Sequence, residues 1–200
     1  MPAPLPRLVV ASSNPGKLRE LEALLGGFAA AIVPQSALGI EGAAETEASF
    51  AGNALLKARH AALRSGSAAL ADDSGLEVDA LGGRPGVYSA RYAGEGASDA
   101  DNNARLLGEL EAVPEPRRAR YRCVIAFVRG PGDPAPVLAE GSWEGRIARQ
   151  AHGSGGFGYD PLFLVGEGAQ TAAELEPGEK NRISHRALAL RALLHQLRVP

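Results

Sequence analysis

The chain reads as an α/β protein built on a mixed twisted sheet with flanking helices, forming one domain over residues 1–200. Three observations carry that reading. Short apolar runs, "LVVAS" from Leu8 and "AALADDS" from Ala68, alternate with stretches of helical periodicity, as strands and crossover helices do. From Arg120 to Ala148 the pattern instead alternates residue by residue around a turn-rich centre, as in a long antiparallel hairpin. Finally, 45% apolar content in 200 residues is enough to bury one substantial core.

The elements follow in order. After "LVVAS", Asn14 can N-cap a helix with Pro15 at its first position, running to the Gly26-Gly27 stop. Ser49 to Ser65 form a second helix ending at Gly66, and "AALADDS" a buried strand giving way to a loop. "SDADNNARLLGELEAV" is a third helix, with Ser98 and Asp101 spaced as a capping box. "RYRCVIAFV" and "VLAEGSWEGRIA" flank the turn "RGPGDPAP". The last helix starts near Ser184 and carries Leu190, Leu193, Leu194 and Leu197 on one face. Glycine- and proline-rich pieces, "ALGGRPGVYS" and "HGSGGFGYDPLF", read as turns and site loops.

Composition narrows the function. A net charge of -2 with well-mixed signs argues against nucleic acid or membrane as a partner through bulk electrostatics. The basic cluster "RRARYR" runs into the alternating strand and is best read as its wet face, with Ala119, Tyr121 and Cys123 inward. A single cysteine, Cys123, excludes an intramolecular disulfide, and no Cys/His pattern has zinc spacing. The start "MPAPLPRLVV" is too short an apolar run for a leader, so a soluble, cytoplasmic protein is expected. All but three of the 21 basic residues are arginine, which singles out Lys17, Lys57 and Lys180 as places where a compact ammonium is needed.

Several stretches could carry chemistry. "ASSNPGKLRE" puts Ser, Asn, Gly and Lys between strand and helix, as an anion-binding turn does, although it lacks the P-loop spelling. Asp72 and Asp73 are adjacent carboxylates at the end of a parallel strand, where α/β sheets hold ligands; ordinary turn chemistry explains them equally well. Glu41, Glu45 and Glu47 precede the second helix, and one Glu with one Asp suffices for Mg²⁺. On that helix Lys57 shares a face with Phe50, Ala54 and Ala61, close to Asn53; it either snorkels or aims a cation into a cleft. Phe157, Gly158, Tyr159 and Asp160 offer an aromatic surface and a carboxylate for a base. Lys180, His185 and Arg186 gather donors at a helix start. Together these specify a nucleoside triphosphate site.

In order and spacing, "SSNPGKLREL", "FAGNALLKARHAA", "ADDSGLEVDALGGRPGVYSARYAG", "GGFGYDPLF" and "KNRISHRALAL" resemble the successive motifs of the inosine triphosphate pyrophosphatase family, also called dITP/XTP pyrophosphatases, bacterial members above all. The resemblance implies an elongated two-lobed α/β structure with a central cleft, commonly a homodimer. It implies Mg²⁺-dependent hydrolysis of ITP, dITP and XTP to monophosphate and pyrophosphate. The implied substrate loop is Ser12, Ser13, Asn14, Pro15, Gly16 and Lys17; the metal carboxylates are Glu45 and Asp73, with Asp73 also the base for water and Ser74 touching substrate. The implied base pocket is Phe157, Gly158, Tyr159 and Asp160, then Lys180, His185 and Arg186, the last two donating to the purine 6-oxygen. Where family members often carry two acids, this chain has Ala44-Glu45. A silent purine nucleotide sensor and a pyrophosphatase for modified pyrimidines are the competing readings.

Overall fold

The computed structural model describes residues 5–197; the first part of the N-terminal run read above as no leader lies outside the described residues. The sheet has six strands: β1 (Leu8–Val10), β2 (Ile32–Pro34), β3 (Ala68–Val78), β4 (Arg118–Val128), β5 (Val137–Ile147) and β6 (Phe163–Val165). They lie in the order β2-β1-β3-β4-β5-β6. β1 runs parallel to β2 and β3, and β5 antiparallel to β6, so the sheet is mixed as the sequence implies. Five helices accompany it among the described residues: α1 (Pro15–Leu24), α2 (Phe50–Ser65), α3 (Asp99–Glu109), α4 (Pro177–Ile183) and α5 (His185–Gln196).

Local chemistry explains the helix ends. The Asn14 side chain accepts from the backbone N–H groups of Gly16 and Lys17, and Pro15 sits where no N–H is needed. Ser49 caps α2, which Gly66 ends in the left-handed conformation. Ser98 and Asp101 form the reciprocal capping box of α3. Two elements differ from expectation. β3 does not stop at Asp73 but continues to Val78, because after its parallel partner β1 ends it remains hydrogen-bonded to β4. The last helix, α5, begins at His185 as expected, but an additional short helix, α4, precedes it from Pro177 and is separated from it at Ser184, whose ψ of 159° is extended.

The chain divides into two compact units, the first comprising the chain up to Asp73, Cys123–Gly141 and the chain from Arg186, the second Ser74–Arg122 and Ser142–His185. In the first, Leu8, Val10, Leu70, Ile125 and Phe127 of the strands pack with Leu21 of α1, Leu25 at its C-terminal cap, and Ala189, Leu190 and Leu193 of α5. α2 contacts β1 and buries Ala54, Ala58, Ala61 and Ala62, a stripe small enough to bring its backbone close to the sheet. In the second, Leu76, Val78, Leu106, Leu110, Tyr121, Trp143, Ile147, Leu162 and Phe163 form a separate, more aromatic core. Tyr92 belongs to it, and burial, with the carboxylate of Glu109 beside it, pushes its hydroxyl up to about 12.

Two stability measurements follow. Leu70 is completely buried and Leu63 is 70% exposed. Leu70→Ala should lower the unfolding free energy in urea by about 2–5 kcal/mol, and Leu63→Ala by less than about 0.5 kcal/mol. For Tyr92, a folded pKa above the unfolded value of 10.0 means the unfolded chain releases its proton first. Its contribution is complete below that value and is lost as pH rises toward about 12. Urea midpoints measured across that window should fall, and fall less steeply in Tyr92→Phe.

Candidate active site

Asp72 and Asp73 lie just past the point where β1 ends, since Val10 pairs with Leu70. Being consecutive in a strand, they point to opposite faces of the sheet. The like charges are thereby separated, and each meets cations from a different helix. Asp72 is fully buried and accepts from Arg186 Nε and Nη2 at 3.2 and 3.0 Å, with Lys17 Nζ of α1 at 3.2 Å. Arg186 Nη1 is in turn paired with Glu20, one turn along α1 from Lys17. Burial alone would raise the Asp72 carboxyl, but Lys17, Arg186 and Lys57 together hold it well below the usual carboxylate range.

Asp73 faces α2. Its Oδ1 accepts from Lys57 Nζ at 2.7 Å, and its Oδ2 from Asn53 Nδ2 at 3.3 Å. Lys57 Nζ also donates to Glu45 Oε1 at 3.0 Å, so two carboxylates converge on one ammonium. Burial raises the Asp73 carboxyl, and Lys57 and Lys17 only partly offset it. For Lys57 the balance is reversed: burial would lower it, yet Asp73, Asp72 and Glu45 outweigh burial and raise it.

Glu45 reaches this point through the segment before α2. Asn53 accepts from Glu47 N at 3.0 Å and donates to Glu47 O at 3.2 Å, fastening the segment two residues beyond Glu45. Gly52 makes the close approach possible, because a Cβ there would sit 2.7 Å from Glu47 Cβ. Asn53, expected to face a ligand, is instead fully buried and ties this segment to Asp73.

Mg²⁺ can be tested against these donors. It takes one or two carboxylates and completes its shell with water and phosphate oxygens. Glu45 and Asp73 are hard oxygen donors already converging on a cation, the Lys57 ammonium, and the Glu45 side chain is 30% exposed. The four carboxylates Glu20, Glu45, Asp72 and Asp73 face three cationic side chains, Lys17, Lys57 and Arg186. The donor set fits. Among the described residues no three His, Cys, Asp or Glu side chains gather into a cage.

The loop before α1 is only partly placed as expected. The N–H groups of Gly16 and Lys17 donate to the Asn14 side chain at 2.8 and 3.1 Å, and Asn14 N donates to Ser12 Oγ at 3.2 Å. These donors serve the cap itself, while Ser13 is exposed and Lys17 keeps its ammonium near Asp72.

A second polar cluster forms in the second unit around the buried Asp160. Its Oδ2 accepts from Lys180 Nζ at 2.6 Å and from Phe157 N at 2.9 Å, and its Oδ1 from the Tyr121 hydroxyl at 3.2 Å. The Lys180 ammonium also lies 4.8 Å from the Phe157 ring centroid, a cation–π contact. Gly156 has φ +73°, and a Cβ there would collide with the Asp160 carboxylate, so glycine is required for the loop to wrap it. Gly158 is held through its N–H by Asp99 and through its carbonyl by Asn103, both on α3. His185 stacks on Tyr121, ring centroids 4.7 Å apart at 9°.

Phe157, Gly158, Asp160, Lys180 and His185 are thus brought together, but two expected members are placed elsewhere. Tyr159 is a core residue whose hydroxyl donates to Ser89 O at 2.8 Å. Arg186 does not share the cluster of His185: its guanidinium is buried against Asp72 and Glu20 in the first unit. Consecutive helical residues diverge by about 100°, and a buried guanidinium requires carboxylates. Ser74 is half-buried on β3 beside Asp73. Glu20 and Tyr121 were missed by sequence reasoning; the spacing of Glu20 from Lys17 on one helix face was the available signal for the first.

Comparison with known proteins identifies the family. Residues 8–196 match the model of the Ham1 family. The dITP/XTP pyrophosphatase of Methylococcus capsulatus is 59% identical over 193 residues, 96% of each chain. That of Thioalkalivibrio sulfidiphilus is 56% identical over 192 residues, 96% of this chain and 98% of that one. Among solved structures, a HAM1 protein from Coxiella burnetii superposes with a TM-score of 0.86 at 47% identity, covering 96% of this chain and 98% of that one. The Staphylococcus aureus Ham1 protein gives 0.82 at 39% identity, covering 96% and 97%. The chain belongs to the Ham1 family.

Proposed function

We propose that this protein hydrolyses non-canonical purine nucleoside triphosphates of the ITP, dITP and XTP type to the monophosphate and pyrophosphate, clearing deaminated purines from the nucleotide pool. The observation that carries the reading is the convergence of Glu45 and Asp73 on Lys57 in a chain whose relatives bear the name dITP/XTP pyrophosphatase.

In this reading the first-unit residues handle the phosphates. Asp73, held by Lys57 and Asn53, orients a water and takes its proton as the water oxygen bonds to the α-phosphorus and the bond to the β-phosphate breaks. Lys17 and Lys57 offset the charge that grows on the transferring and leaving groups. Glu45 and Asp73 would hold Mg²⁺, which would polarise phosphate oxygens when bound. Asp72, Arg186 and Glu20 keep Lys17 and the strand in place.

The second-unit cluster handles the base. Hypoxanthine and xanthine carry a proton on N1 and an oxygen at position 6, whereas adenine offers an N1 acceptor and a 6-amino group. A carboxylate such as Asp160 accepts from an N1–H and is repelled by the lone pair of adenine N1, while the Lys180 ammonium donates to a 6-oxygen but not to a 6-amino group. Phe157 supplies the apolar surface, with His185 near by. The same reading includes a cytoplasmic homodimer with no nucleic-acid or membrane partner; among the described residues no helix is long and apolar enough to cross a membrane.

Product analysis with ITP, dITP, XTP, GTP and ATP in Mg²⁺ tests the reading. Monophosphate and pyrophosphate should appear quickly from the first three, and chelation should stop the reaction. Stepwise release of inorganic phosphate, or equal turnover of ATP, would contradict it. Lys57→Met should lower kcat for ITP by roughly 100-fold, as removal of a charge-stabilising donor does; an unchanged kcat would remove Lys57 from the chemistry.

A further inference from the structure

We propose that the second unit carries an anion site, in which Arg146 and Arg149 meet a phosphate-type oxyanion and the buried Arg117 stands behind them as an uncompensated positive charge.

Arg117 opens the basic run "RRARYR". By strand alternation it falls in the inward set with Ala119 and Tyr121, and it is 2% exposed. Its surroundings differ from those of Arg186, the other buried arginine among the described residues, which is paired with Asp72 and Glu20. Arg117 Nε donates to Ile147 O at 3.1 Å, while its buried Nη2 has no hydrogen-bond partner. Glu115, two residues away, is paired instead with Arg149 at 3.3 Å. Burial, and then the charge of Arg149, push the Arg117 guanidinium below its usual value, and Glu115 only partly offsets them. A buried cation in that state lowers stability unless a counter-charge arrives from outside the chain.

The place for that charge lies alongside. A cavity of about 390 Å³ in the second unit is lined by Glu115, Arg146, Arg149, Gln150, His152 and Glu167, among others. Both groups whose charges act on Arg117, Glu115 and Arg149, are on its wall. Ile147, which accepts from Arg117, is flanked in the chain by Arg146 and Ala148, also on the wall. No member of the Asp160 cluster lines it.

Arg146 is held ready without an acid pressed against it. Its Nε and Nη2 donate to the carbonyls of Gly166 and Gly168 at 3.2 and 2.7 Å, and Glu167 stays 3.8 Å away. Glu167 is 77% exposed and shared with Arg118, and such loose exposed pairs hold little energy against a competing anion. Four guanidiniums, of Arg117, Arg118, Arg146 and Arg149, thus face two carboxylates, of Glu115 and Glu167. Guanidinium forks match the oxygens of phosphate, and the excess charge favours an anion over a metal ion.

Urea unfolding of the full chain across a series of inorganic phosphate concentrations tests this, with sodium chloride at equal ionic strength as the control. Phosphate should raise the midpoint of the parent and of Lys57→Met, and the phosphate affinity read from that rise should weaken about tenfold in Arg149→Met, as loss of a bond to a charged group gives. Arg117→Met should be at least as stable as the parent without phosphate, because an apolar side chain removes the cost of the unpaired charge, and should show the same weakened response. Pyrophosphate and inosine monophosphate, run alongside, separate a free oxyanion from a phosphate carried on a nucleotide by which binds tighter. The proposal is overturned if none of the three raises the parent midpoint, or if chloride reproduces the rise. It is equally overturned if both arginine variants keep the full response while Lys57→Met loses it, which would put the anion in the first unit. Strong destabilisation of Arg117→Met without phosphate would make the guanidinium a structural prop and also contradict it.

Discussion

Two adjacent carboxylates on one strand are the constraint around which the first unit is arranged. In solution Asp72 and Asp73 would repel; on β3 the pleat turns them to opposite faces, and each acquires its own cations. Asp72 is paired with Arg186 and Lys17, which link it to α5 and α1. Asp73 is paired with Lys57 and Asn53, which link it to α2 and the segment bearing Glu45. The consequence is chemical as well as structural: Asp72 is held far below the ordinary carboxylate range, while burial raises Asp73. One acid is thereby suited to hold the scaffold, the other to exchange a proton.

The second unit follows similar logic around one buried acid. Asp160 gathers donors from three places: a glycine-wrapped loop at Phe157, a helix at Lys180 and a strand at Tyr121. Only a glycine at position 156 leaves room for the loop to turn over the carboxylate. At Ser184 helix gives way to extended backbone before α5, and His185 and Arg186, neighbours in sequence, belong to different clusters.

Much of this was legible in the sequence, because local rules decide it. Asn14-Pro15, Ser49 with Gly66, and Ser98 with Asp101 mark helix ends through side-chain chemistry that needs no tertiary partner. The rarity of lysine pointed to Lys17, Lys57 and Lys180, and each is found paired with a buried aspartate. What the sequence did not reveal depends on partners far along the chain. β3 passes beyond Asp73 because β4, some fifty residues later, continues to pair with it. Arg186 meets an acid 114 residues away, and nothing in its own helix indicates that Asp72 and Glu20 wait for it. Tyr121 was visible as an inward residue, but its hydroxyl acquires meaning only once the loop carrying Asp160 is folded against β4.

The division of labour between the two acids is tested most directly by comparing Asp72→Asn and Asp73→Asn in parallel for ITP turnover and for unfolding free energy. Asp73→Asn should lower kcat by roughly 100-fold or more, as loss of a general base does, with little loss of stability. Asp72→Asn should instead destabilise by about 3 kcal/mol or more, because it deprives the buried Arg186 of its main partner. If Asp73→Asn kept full turnover, or if Asp72→Asn proved as stable as the parent, the assignment of chemistry to one carboxylate and architecture to the other would be contradicted.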